Sequence, residues 1–121
     1  MFNEYEEEAK ERWGDTDAYK QSTSRTSKYT KDDFAAAKVD QEAATEMFVI
    51  AFGNSYSVTS EHAQVAVVAH RAAISKWFYE CSVEMQKNLA VMYLEDHRFK
   101  AYYDGRVRGL AKYVHDAILA Q

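Results

Sequence analysis

The chain of 121 residues carries a net charge of −4, contains one cysteine and has no proline. Its length fits one domain, and a single cysteine excludes a framework of internal disulfides, so we expect a cytoplasmic protein. No apolar run approaches the roughly 20 residues that cross a bilayer, and the acidic start MFNEYEEEAKERWG has no apolar core of a signal peptide. Acids outnumber bases by eleven to seven in residues 1–45 and equal them afterwards at eight each, so any DNA contact would belong to another domain or chain.

The N-terminal part is predicted to form two short helices. Asn3 and Glu6 have the spacing of an N-cap and its partner at the third helical position, and Gly14 ends this helix. Asp15 or Thr16 caps the next helix, DAYKQSTSRTSKY, which its Ser and Thr residues weaken. Large apolar residues are sparse here, so we expect a mobile region that folds when a partner or ligand supplies apolar surface.

A long helix is predicted next. Thr30 and Asp33 open it as a capping pair, and it runs to Gly53. Its apolar positions follow a helical stripe: Phe34, Ala37, Ala44, Phe48 and Phe52. From about residue 43 onward such stripes are dense enough to close a core.

Three further helices are predicted in the C-terminal half. Ser60 caps a helix that ends near Trp77, and Ser82 caps one with Met85 and Tyr93 on its apolar side. After the connection EDHRFKAYYDGR a last helix follows, with the apolar residues Leu110, Tyr113, Val114, Ala117 and Ile118. Nothing alternates with a period of two, so we predict an all-α fold without a sheet.

The large apolar side chains are mostly aromatic. The chain has 17 Phe, Tyr and Trp residues against four Leu and three Ile, whereas helical bundles normally depend on Leu and Ile. Tyr and Trp suit places where one end of a ring is apolar and the other meets a polar group. The composition therefore favours either a flat, partly polar ligand or an aromatic-rich core.

Cys81 stands between three aromatic residues and the start of a predicted helix. It directly precedes Ser82, the predicted N-cap, and the positive end of a helix lowers the pKa of a thiol. Glu80 opposes this effect, so moderate activation is expected. An accessible thiolate could add to an electron-poor alkene or form a mixed disulfide. The alternative is a buried, inert cysteine.

His70 lies on the apolar stripe of its helix, two turns before Trp77. It is either a core histidine with its hydrogen bonds satisfied or a polar group presented to an aromatic pocket. An inward histidine in an all-helical protein is also conceivable as a haem ligand.

Templates for enzymes and metal sites are missing. The chain has no GxSxG, no HExxH and no glycine-rich phosphate loop. His62, His97 and His115 have no ligand spacing among themselves or with the cysteine. We therefore predict no catalytic residues, no metal and no cofactor.

Two long stretches resemble one known family. The TipAS antibiotic-recognition domain is similar to two stretches of this chain. The first is EAKERWGDTDAYKQS with RTSKYTKDDF, and the second is SKWFYECSVEMQKNLAVMYLEDHRFKAYYDGRVRGLAKYVHDAI. The most specific pieces are ERWGDTDAYKQS, WFYECS and the series from MY to AI, and the likeness covers nearly the whole chain. That domain is the effector-binding part of certain MerR-type transcription activators.

The resemblance implies a globin-like helical fold without haem that binds thiopeptides and other bulky aromatic antibiotics in a cleft. It implies a mobile lid over residues 1–42 that closes on the ligand, and an antibiotic-binding core over residues 43–121. In the family a cysteine after WFY adds to a dehydroalanine of the drug, and Cys81 holds that position. The expected ligand-binding residues of the core are Phe48, Phe52, His70, Trp77, Phe78, Cys81, Met85 and Tyr93, and those of the lid are Trp13, Tyr19 and Tyr29.

The expected partner is therefore a small-molecule antibiotic, with no membrane and no direct nucleic-acid contact. A longer form would join the chain to a MerR-type DNA-binding domain for transcriptional activation, and a free-standing form would sequester the drug. The alternative is a protein-interaction or dimerisation module whose N-terminal helices fold on a partner.

Overall fold

The computed structural model describes residues 16–121, which form six helices and no strand. We number them α1 (Asp17–Thr26), α2 (Lys31–Gly53), α3 (Glu61–Trp77), α4 (Val83–Glu95), α5 (His97–Asp104) and α6 (Leu110–Leu119). The predicted all-α fold is confirmed for this part of the chain. The helix predicted between Asn3 and Gly14, which includes Trp13, lies outside the described residues.

Within residues 16–121, the polar residues predicted to start helices do start them. Thr16, Thr30, Ser60 and Ser82 each accept a hydrogen bond from the backbone N–H three residues later. The carboxylate of Asp33 also accepts from the N–H of Thr30, which completes a capping box. Each cap satisfies a backbone donor that the helix itself leaves free.

Helix α5 was not predicted, because the segment was interpreted as a connection. Asp96 follows the last residue of α4 and is at the same time the N-cap of α5, so no turn residue separates the two helices. The Asp96 carboxylate accepts from the N–H of Arg98 and pairs with its guanidinium. Tyr103 anchors α5 in the core, with only 2 % of its surface exposed.

Helix α6 is capped from a distance. Its N-cap residue, Gly109, has a φ of +89° and no side chain to offer. The carboxylate of Asp104, at the end of α5, accepts instead from the N–H of Ala111 at 3.0 Å. Asp104 thereby joins the end of one helix to the start of the next.

The core is built on α2 and α3, which run antiparallel. Asp40 faces Trp77, Phe48 faces His70, and Tyr56 stacks on His62 beyond the end of α2. Small residues are prominent among the buried side chains of both helices, and α6 packs against α2, α3, α4 and α5. Helices α2, α3, α4 and α6 all contribute residues that are almost fully buried: Ala44, Phe48, Ala51, Ala63, Ala66, Val67, Ala90, Leu110, Val114, Ala117 and Ile118.

The expected boundary between lid and core falls inside α2, which continues without a break from residue 42 to 43. Helix α1 differs from the others because none of its residues is buried. None of the helices in residues 16–121 is both long enough and apolar enough to span a bilayer.

Candidate ligand-binding site

The C-terminal end of α3 meets the segment that contains α1. The last carbonyls of a helix have no partner within it. Here the carbonyl of Ser75 accepts from Arg25 Nη1 at 2.7 Å, and that of Trp77 accepts from the Tyr29 hydroxyl. In the loop that follows, the N–H of Glu80 donates to Gln21 Oε1 at 3.1 Å. We call this contact between residues 21–29 and 75–80 the junction.

Aromatic rings cluster at the junction. The Tyr29 ring meets Trp77 and Phe34 edge to face, with centroid distances of 5.8 and 5.6 Å. Trp77 Nε1 donates to Asp40 Oδ2 at 2.7 Å, and Lys76 Nζ lies 3.4 Å from the same oxygen. The bond from Trp77, followed by the effect of Lys76, lowers the pKa of Asp40 despite an opposing contribution from desolvation. The indole is thus fixed in orientation, while 42 % of Phe34 remains exposed to solvent.

Cys81 directly follows the junction in the chain and is buried. Only 7 % of the residue is exposed, and its N–H donates to Ser75 Oγ at 3.1 Å. Burial raises the pKa of the thiol, and the charge of Arg71 only partly opposes this. The expected lowering of this pKa is not found in the described conformation, because removal from water disfavours the charged thiolate. Membership of Cys81 in the site stays a prediction.

His70 is a core residue, and both of its ring nitrogens form hydrogen bonds. This agrees with the alternative of a satisfied core histidine that the sequence left open. Its Nε2 lies 2.9 Å from the Tyr93 hydroxyl, and its Nδ1 lies 2.8 Å from Gln86 Nε2. Phe48 packs against the ring at a centroid distance of 6.3 Å. The structure therefore places Phe48, His70 and Tyr93 together, but in the interior.

The hydrogen bonds of Gln86 determine the tautomer of His70. Gln86 Oε1 accepts from Arg71 and from Gln121, which leaves its amide nitrogen to donate to the carbonyl of Val67 and to His70 Nδ1. Nδ1 must therefore be the unprotonated nitrogen, and Nε2 carries the proton and donates to Tyr93. Burial, together with the charge of Arg71, lowers the pKa of His70 to about 4.

The other expected site residues lie at different distances from the junction. Phe78 caps the end of α3, Met85 lies in the first turn of α4, and Tyr19 lies in the first turn of α1; all three are half-buried. Phe52 packs on Tyr113, twelve residues beyond Asp40 along α2, which corresponds to ~18 Å. The structure therefore brings Tyr29 and Trp77 into contact, with Cys81 close by along the chain, and separates Phe52 from them.

Several residues of this region were missed at the sequence level. Asp40 and Gln86 are recognisable only once the register between helices is known. Gln21 and Arg25 bind main-chain atoms, so no partner side chain could reveal them. In the part of the chain that the structure describes, no three His, Cys, Asp or Glu side chains form a group able to hold a metal ion.

Comparisons with known proteins agree with this architecture. The family model of the TipAS antibiotic-recognition domain matches residues 5–121. The HTH-type transcriptional activators TipA of Streptomyces coelicolor and Streptomyces lividans are each 42 % identical over 118 residues, which is 98 % of this chain and 47 % of theirs. The chain thus spans about half the length of these relatives.

A solved structure extends the likeness to three dimensions. It contains nosiheptide in complex with TipAS, from a thiopeptide antibiotic multidrug resistance system of Streptomyces lividans. It superposes with a TM-score of 0.90 at 42 % identity and covers 98 % of this chain and 82 % of that one. The match of nearly the whole sequence to the family model, together with this superposition, shows that the chain belongs to the TipAS antibiotic-recognition domain family.

Proposed function

We propose that this chain binds thiopeptide-type or other bulky aromatic antibiotics at the end of α3, with residues 16–29 closing over the ligand. The observation that carries the proposal is the likeness to TipAS in complex with nosiheptide, which extends over 98 % of this chain and so includes α1. This likeness supports the view that the described conformation, with α1 against α3, is the closed one.

The chemistry of the junction suits such a ligand. Trp77, Tyr29 and Phe34 offer ring edges and faces for heterocycles, which favour offset or edge-to-face contacts. Asp40 fixes the orientation of the indole, so a ligand ring meets a preformed surface. The role is binding, and no step of catalysis is assigned to the chain.

We further propose that the thiol of Cys81 adds to ligands that carry a dehydroalanine. The sulfur forms a bond to the terminal alkene carbon, the carbon–carbon double bond becomes single, and the neighbouring carbon takes up a proton. No group leaves, so the adduct has the summed mass of protein and ligand. Because the thiol is buried with a raised pKa, addition requires the junction to open and is expected to be slower than reversible binding.

In longer proteins of this family, capture of the drug would be relayed to a DNA-binding region and activate transcription of resistance functions. The relatives named as transcriptional activators are about twice the length of this chain, which supports that proposal. A form without a DNA-binding region would act by sequestration.

Titration with nosiheptide tests the proposal, with tryptophan fluorescence and far-ultraviolet circular dichroism as readouts. We expect a saturable change in tryptophan fluorescence, to which Trp13 and Trp77 both contribute, and a gain in helicity. Phe34→Ala should weaken binding, whereas Ile50→Ala should not, although both residues are exposed and apolar on α2. Ile50 is the matched control because it lies sixteen residues further along the helix, ~24 Å away.

Two results would contradict the proposal. One is the absence of any change in either signal with nosiheptide and with a panel of other thiopeptides. The other is helicity that rises with protein concentration and not with any small molecule, which would favour the interaction module instead.

A further inference from the structure

Three side chains of the α1 segment lie on one helical face and reach the same part of α3. Gln21, Arg25 and Tyr29 are spaced four residues apart, so they point in nearly the same direction. Tyr29 keeps this alignment beyond the end of α1, because its N–H still donates to the carbonyl of Thr26. The face they form is turned toward the junction.

All three of these side chains bind main-chain atoms. Arg25 and Tyr29 donate to the carbonyls of Ser75 and Trp77, and Gln21 accepts from the N–H of Glu80. The carbonyls at the end of α3 are groups that the helix cannot satisfy by itself. The contact thus depends on the backbone conformation of residues 75–80. It does not depend on which side chains line the site.

Helix α1 packs less deeply than the other described helices. None of its residues is buried, whereas every other helix in residues 16–121 buries at least one side chain. A helix of ten residues is unstable alone in water. Within residues 16–121, these three hydrogen bonds and the ring of Tyr29 are the specific contacts that hold α1 against α3.

We propose that Gln21, Arg25 and Tyr29 are positioning residues that hold α1 on α3 and set the affinity for all ligands of the site by one common factor. This inference rests on the proposed function. When only a fraction of molecules is in the binding-competent conformation, the apparent affinity falls by that fraction for every ligand. Wall residues such as Trp77 and Phe34, in contrast, should discriminate between ligands.

The test uses Tyr29→Phe, which keeps the ring and removes the hydroxyl, and Arg25→Met, which keeps the apolar stem. Affinities for nosiheptide and thiostrepton are measured by calorimetry. We expect a loss of about five-fold for Tyr29→Phe and about ten-fold for Arg25→Met, from the usual contributions of neutral and charged hydrogen bonds. The loss should be equal for the two ligands. Lys20→Met removes the same charge from an exposed position of α1 and should leave both affinities unchanged.

A measurement without ligand keeps the inference testable if the proposed function fails. Amide hydrogen exchange of residues 17–26 should be faster in both variants than in the wild type, in the free chain and with nosiheptide bound, with exchange in α3 unaltered. Wild-type exchange rates in the variants would overturn the inference. So would wild-type affinities, or losses that differ between the two ligands, because a differing loss means direct contact with the drug. Failure of the wild type to bind either compound would instead refute the proposed function.

Discussion

Acidification should destabilise the fold through the buried residue His70. The ring is buried, its Nε2 donates to Tyr93 and its Nδ1 accepts from Gln86. Protonation would place a second N–H at Nδ1, directly against the amide donors of Gln86, and would bury a charge near Arg71. Both effects oppose the charged form, in the same direction as the lowering of the pKa to about 4.

The size of the effect follows from the two pKa values. In the unfolded chain the histidine takes up its proton near pH 6.5, while in the folded chain it does so only near pH 4. The stabilisation is therefore complete above pH 6.5 and is lost as the pH falls from there toward 4. Linkage gives a loss of ~2 kcal/mol between pH 7.5 and pH 5, or ~30-fold in the unfolding equilibrium.

Urea unfolding followed by circular dichroism at pH 7.5 and pH 5 provides the assay. The control is His70→Gln, which does not titrate and leaves the carboxylates and the other three histidines in place. The variant should be less stable at pH 7.5 but should lose ~2 kcal/mol less than the wild type on acidification. Nitrogen-15 NMR should show His70 as the neutral tautomer protonated at Nε2.

Equal losses of stability in the wild type and His70→Gln would refute this reasoning. A wild type that becomes more stable as the pH falls would mean that the folded state binds the proton more tightly than the unfolded state does. Either result would contradict the hydrogen-bond directions deduced for Gln86.

Three further expectations concern packing, capping and the thiol. Phe48→Ala should destabilise the protein by about 3–5 kcal/mol in urea unfolding, because the fully buried ring leaves a cavity between α2 and α3. A loss of less than about 1 kcal/mol would mean that the Phe48 ring contributes little to the stability of the core. Asp104→Ala should cost about 1 kcal/mol through loss of the cap on α6, and Asp104→Asn, whose amide oxygen can still accept from Ala111, should recover part of it in the same assay. Cys81 should react with iodoacetamide more slowly than a free cysteine at pH 8, and a faster rate would show that the thiol is neither buried nor raised in pKa.

The helices were largely predictable because their signals are local. Thr16, Thr30, Ser60 and Ser82 stand at their caps, and each cap needs only residues within the first turn. Helix α5 escaped prediction because Asp96 belongs to two helices, so the turn residues that normally separate helices are missing. A short helix without such boundaries is indistinguishable by sequence from a connection.

The site was less predictable because it depends on contacts between distant parts of the chain. The contact of Tyr29 with Trp77 spans 48 positions, and the bond from Trp77 to Asp40 spans 37. The environment of Cys81 depends on how the loop after α3 folds back on Ser75, and a helix terminus alone does not determine it. The aromatic stripe could not reveal which rings face a ligand, and Phe48 proved to be interior while Phe34 is exposed.

Buried alanines in α2 and α3 constrain how the two helices that carry the junction pack. Ala44, Ala63 and Ala66 are at most 1 % exposed, so these positions leave no room for a larger side chain without a shift of the neighbouring elements. A larger side chain at one of these positions would tilt α3 about that point and carry Trp77 away from Asp40. The geometry of the aromatic surface therefore depends on buried residues away from it, and substitutions at these alanines should alter that surface without changing any residue of the junction.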